Sequence, residues 1–134
     1  MLPPRTAARR ALLPGALAVL SWIAAIAPSR PASAHAVVTA SEPEAGAVLA
    51  GPPPRVSVRF NSRIDHGRSR LVLVGPEGAQ HALDLAPAAE PTLLEAPAPS
   101  APLAPGAWRL RWQVLALDGH ITRGDIPFTL RAAP

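Results

Sequence analysis

The sequence predicts an all-β fold, a small sandwich or Greek-key barrel of about seven short strands, and three observations carry that expectation. Apolar and polar residues alternate in several short runs, the pattern of strands that bury one face. No stretch sustains the ~3.6-residue apolar period of an amphipathic helix. Thirteen prolines fall within residues 35–134, and proline removes a helix hydrogen bond and clashes with the preceding turn.

The elements follow in order. The segment His35 to Ser41 is a first strand, ended by Glu42-Pro43-Glu44-Ala45-Gly46. Arg55-Val-Ser-Val-Arg-Phe60 alternates, with Val56, Val58 and Phe60 on one face. Arg70 to Val74 is another strand, closed by the turn signal Gly75-Pro-Glu-Gly78, and Gln80 to Leu85 returns as its partner. Ala86 to Pro105 is rich in alanine and proline and reads as a surface connection carrying one short strand, Thr92 to Glu95. Ala107 to Leu117 is the longest run, with Trp108, Leu110, Trp112 and Val114 to the core and Arg109, Arg111 and Gln113 to solvent. Gly124 to Arg131 closes the domain with Ile126, Phe128 and Leu130 inward. There is one domain and no internal repeat.

Charge separates this domain from what precedes it. The 134 residues carry 13 arginines, no lysine and 9 acids, a formal charge of +4. Four arginines and no acid lie in residues 1–34, and the remaining nine arginines meet nine acids. The surplus therefore belongs to one end, which withdraws a nucleic-acid partner for the domain. Residues 1–34 read as an export signal, with Arg5, Arg9 and Arg10 as a positive n-region and Ala11 to Ala27 as an apolar h-region. Ala32-Ser33-Ala34 is the small-residue cleavage pattern, so the protein is expected in the periplasm with the signal removed after Ala34. The apolar run is broken by Pro14 and Gly15 and is short against the ~20 residues a bilayer span needs. The mature form is expected not to span a membrane. Export leads to an oxidising compartment, yet the chain has no cysteine, and its one methionine is Met1. A disulfide framework, a thiolate zinc site and a cysteine nucleophile are all excluded.

Two features carry chemistry. Cleavage after Ala34 would make His35 the N-terminus, where the α-amine and the imidazole Nδ1 can chelate one metal ion. A terminal amine titrates near ~8, so a metal can displace its proton around neutrality. The second feature is Asp118-Gly119-His120, after the longest strand, where two residues separated by one point to the same side of an extended chain. Asp-Gly is a common turn signal, and taken alone the motif reads as a β-turn. Together they offer an amine, two imidazoles and a carboxylate, a nitrogen and oxygen set that suits tetragonal Cu(II); the absence of sulfur opposes Cu(I). Zinc accepts such ligands tetrahedrally, but Cu(II) binds most tightly in the divalent series.

At this point the mature chain resembles the CopC family of periplasmic copper-binding proteins along its whole length. The matching residues are His35-Ala-Val-Val, Ser41-Glu-Pro-Glu-Ala-Gly46, Pro54 to Phe60, Pro76-Glu-Gly78, Leu103 to Trp112, Asp118-Gly-His120 and Gly124-Asp-Ile-Pro-Phe128. The resemblance implies an immunoglobulin-like Greek-key β-sandwich with a Cu(II) site near the N-terminus. It implies His35, Asp118 and His120 as ligands, and a CopD-type inner-membrane protein as partner in copper homeostasis or resistance. Some family members bind Cu(I) through a methionine-rich segment; the corresponding region here, roughly Gly75 to Leu85, has no methionine. His81 stands near where a histidine contributes in those members, but without sulfur partners a Cu(II)-only protein is expected. His66 is read as a turn residue.

Sequestration or delivery of copper by a non-catalytic monomer is thus the leading reading. The alternative enzyme is suggested by a terminal amine with two imidazoles, which looks like the histidine brace of lytic polysaccharide monooxygenases. Against it, the mature chain has no tyrosine and only two tryptophans, both at core positions. Asp118 as an anionic ligand also favours Cu(II) over redox cycling. A metal-free interaction sandwich is opposed by the His35, Asp118 and His120 set.

Overall fold

The structure is a computed structural model that describes residues 35–133 together with Leu2 and Pro4. The expected export leader, those two residues apart, and its cleavage site lie outside the described residues. Eight strands follow in order: β1 Val38–Glu42, β2 Ala47–Leu49, β3 Arg55–Phe60, β4 Ile64–Val74, β5 Gln80–Ala82, β6 Leu93–Pro97, β7 Gly106–Ala116 and β8 Ile121–Leu130. A 3-10 turn, Pro76–Gly78, links β4 and β5. Among the described residues no helix is long and apolar enough to cross a membrane.

The strands form two sheets, of order β1-β3-β6 and β2-β8-β7-β4-β5. Their inner faces close one core, as the alternation predicts. Val56, Val58 and Phe60 of β3 and Leu94 and Ala96 of β6 meet Leu71 and Leu73 of β4, Leu110, Trp112 and Val114 of β7, and Ile126, Phe128 and Leu130 of β8. Phe60 meets Trp112 edge to face across the sheets, with ring centroids 5.2 Å apart and planes at 70°. Trp108 and Trp112 are core residues, as expected, and the Trp108 indole N–H donates to the Ala104 carbonyl at 2.8 Å. Gly75 is required beneath that ring, because a Cβ there would stand 2.8 Å from the Trp108 indole.

Several expected boundaries shift. The extra strand is β2, which pairs with β8 in parallel from Ala47↔Phe128 to Leu49↔Leu130. Three residues after a turn are too few for an alternation to show. β1 starts at Val38 rather than His35, and β5 ends at Ala82 rather than Leu85. β4 begins at Ile64, six residues before the alternating run, because its register on β7 breaks between Asp65 and Arg70. That irregularity disrupts the sequence pattern and hides the strand's first half. His66 accordingly lies in β4 and not in a turn. Its Nε2 is 2.7 Å from the Leu93 carbonyl. A carbonyl only accepts, so Nε2 carries the proton, and His66 ties β4 to β6.

Candidate metal centre

β7 and β8 pair along their whole length, from Gly106↔Leu130 to Leu115↔Ile121. The hairpin that joins them closes on three residues, Leu117, Asp118 and Gly119. The Gly119 N–H donates to the Ala116 carbonyl at 2.9 Å, and the Ala116 N–H donates to the His120 carbonyl at 2.9 Å. This is the three-residue hairpin that needs a left-handed third residue, and Gly119 supplies it at φ +87°. The extended geometry anticipated for Asp118-Gly119-His120 is therefore replaced by a turn. The turn nonetheless brings the two side chains together.

Asp118 Oδ1 accepts the His120 backbone N–H at 3.0 Å, and Oδ2 lies 2.9 Å from His120 Nδ1. The carboxylate can only accept, so Nδ1 carries the proton it bonds, and Nε2 is the ring nitrogen left facing away from Asp118. The Asp118 carboxyl is held below its ordinary value, first by the His120 backbone N–H, then by the His120 imidazole and by the nearby His35, against an opposing push from burial. The oxygen donor is thus anionic at neutral pH.

His35 reaches the same place from the other end of the domain. Ala36 is buried in the core, and the Thr122 hydroxyl lies 3.5 Å from its carbonyl, beside the start of β8. Asn61, just after β3, clamps Val37 on both sides: the Val37 N–H donates to Asn61 Oδ1 at 2.8 Å, and the Asn61 N–H donates to the Val37 carbonyl at 2.9 Å. The segment is fixed before β1 begins, and the His35 ring stands 5.1 Å from the His120 ring, at an angle of 37°. Asn61 escaped the sequence reading; its signal was an asparagine directly after an alternating strand, a residue that bonds readily to nearby backbone.

All three expected ligands therefore gather at one exposed end of the sandwich. Among the described residues, no group of three His, Asp or Glu side chains is already drawn up at ligand distances. Asp118 holds His120, and His120 faces His35. The His120 side chain is 64% exposed, so it can turn toward an ion without disturbing the core. Two imidazoles and a carboxylate with no sulfur fit a nitrogen- and oxygen-preferring divalent ion. His66 is spent on Leu93, and His81 packs against Trp108 with centroids 5.8 Å apart, so neither joins the set.

Comparisons with known proteins converge. The family model of the CopC domain matches residues 38–131, which includes Asp118 and His120 and begins just after His35. Protein YobA of Escherichia coli strain K12 is 29% identical over 99 residues, covering 73% of this chain and 80% of that protein. CopC from Methylosinus trichosporium OB3b superposes with a TM-score of 0.65 at 27% identity, covering 72% of this chain and 94% of its own. PcoC, a methionine-rich copper resistance protein from Escherichia coli, shares the fold with a TM-score of 0.58 at 24% identity, covering 72% of this chain and 99% of its own.

Proposed function

The chain belongs to the CopC family, and from that premise we propose that it is a periplasmic Cu(II)-binding protein that sequesters copper or delivers it to a partner. Family membership supports a copper-related role. The observation that carries the finer reading is the convergence of His35 on the Asp118–His120 pair, through rings 5.1 Å apart and a 2.9 Å contact. Removal of residues 1–34 would add the His35 α-amine as a fourth donor. In this reading Asp118 does two jobs. Before an ion binds it holds His120 through Nδ1, and once His120 turns toward the ion the freed carboxylate supplies negative charge that favours Cu(II) over Cu(I). The site binds an ion and holds it at an exposed surface, from which a CopD-type inner-membrane protein can take it. No catalytic step is assigned.

The test is a Cu(II) titration of the protein beginning at His35, beside a form with one additional residue before it. The processed form is expected to bind far more tightly, because only there can amine and imidazole close a chelate ring. Equal affinities would refute the amine-based site.

A further inference from the structure

We propose that the outer face of the five-stranded sheet is a docking groove for an acidic polypeptide segment. The alternation that sends Leu71, Leu110 and Trp112 inward sends Arg70, Arg109, Arg111, Arg123 and Asp125 outward on three adjacent strands. Four guanidiniums thus meet one carboxylate. Asp125 is shared, accepting from Arg111 Nε at 2.8 Å and Nη2 at 3.0 Å and from Arg109 at 3.2 Å. Among the described residues, Arg70 and Arg123 have no ion pair or side-chain hydrogen bond. A groove of about 530 Å³ opens between them, lined also by Gln80, Gln113, Arg111 and Asp125.

The register gives the groove a spacing. Arg70 pairs with Gln113, and Gln113 with Arg123, so the two free arginines lie in one row on either side of a central strand. Two inter-strand steps of ~4.8 Å put their backbones roughly 10 Å apart. In an extended peptide, residues three apart are separated by about the same distance at ~3.3 Å each. A segment with acids at that interval can give one carboxylate to each guanidinium, as bidentate charge-assisted pairs, while Gln113 serves its backbone. A single small anion cannot span the row, and a flat lipid surface would meet side-chain tips rather than the groove.

The attraction is local. The nine arginines and nine acids of residues 35–134 balance. On the smaller sheet, Arg55 is paired with Glu95 and Arg59 with Glu90. Arg123 lies on β8 three positions after His120, which immediately precedes that strand, so a docked segment would lie roughly 10 Å from the candidate metal centre. The groove goes beyond the copper reading and does not depend on it.

The experiment is fluorescence anisotropy at low salt with a labelled peptide of Glu-Thr-Thr repeats. Three proteins are compared: the wild type, Arg70→Gln/Arg123→Gln and Arg55→Gln/Arg59→Gln. Both variants remove two positive charges, and a circular dichroism melt of each verifies folding. The expected result is binding by the wild type, a loss of about tenfold in the Arg70/Arg123 variant and a change within about twofold in the other. Equal losses would assign the effect to overall charge and overturn the groove. So would the absence of peptide binding, or capture by phosphatidylglycerol vesicles without capture of the peptide.

Discussion

A histidine lies near each end of the β7–β8 hairpin, and the two ends treat it differently. At the end away from the turn, His81 of β5 lies against Trp108, the Trp108 ring covers Gly75, and its N–H is satisfied by Ala104. At the turn end, His120 is exposed, bonded to an anionic Asp118 and faced by His35. One imidazole serves packing, and the other sits among donors with its Nε2 outward. The contrast teaches that a histidine becomes a ligand candidate through what its second nitrogen is bonded to and what it faces, since the residue type is the same at both ends.

Exchanging the histidines for alanine one at a time breaks or upholds the comparison, and this is the largest effect expected. His120→Ala should weaken Cu(II) binding by at least ~100-fold, since even residues behind a ligand cost about 10–100-fold. His81→Ala should leave Cu(II) affinity unchanged and lower the melting point slightly, by the loss of about 0.5–1.5 kcal/mol of ring contact. Titration followed by the visible copper absorbance reads both; equal losses would erase the distinction between the ends. Asn61→Ala comes next. With the clamp on Val37 gone, His35 is no longer held beside His120, and Cu(II) affinity should fall by about tenfold while the circular dichroism spectrum stays native. Unaltered affinity would mean that Ala36 burial alone positions His35.

The two ends also differ in how far the sequence revealed them. The end away from the turn was legible because its parts are periodic: Trp108, Leu110, Trp112 and Val114 alternate, and the alternation survives in β3 and β8. At the turn end the residue types were legible, and Asp118-Gly119-His120 and His35 stood out by chemistry. Their geometry was not. The motif reads either as an extended pair or as an Asp-Gly turn, and it is the turn, set by the left-handed Gly119, that unites Asp118 with His120. Asn61 offered only its residue type after a strand, and Thr122 offered nothing, because their roles depend on contacts with residues far away in the chain. The first half of β4 and the short β2 were lost for a simpler reason: a register break and a length of three residues leave no period to read.

The smallest effect sharpens the comparison within the hairpin itself, because it carries two carboxyls held below their ordinary values for different reasons. Asp118 is held by the backbone N–H and imidazole of His120, at the candidate site. Asp125 is held first by its hydrogen bonds to Arg111, then by the charges of Arg111 and Arg109, with burial opposing. A carboxyl whose folded pKa lies below its unfolded one stabilises the fold above the unfolded value, near ~4, and that contribution is lost as pH falls through the folded value. The melting temperature should therefore drop as pH falls below about 5, and Asp125→Asn should make the drop shallower by abolishing one of the carboxyls responsible. Glu90, lowered by its pairing with Arg59 on the other sheet, remains in that variant and keeps part of the slope. Scanning calorimetry across this range reads the difference, and identical slopes would show that the Arg111–Asp125 pair contributes as little as an ordinary exposed ion pair.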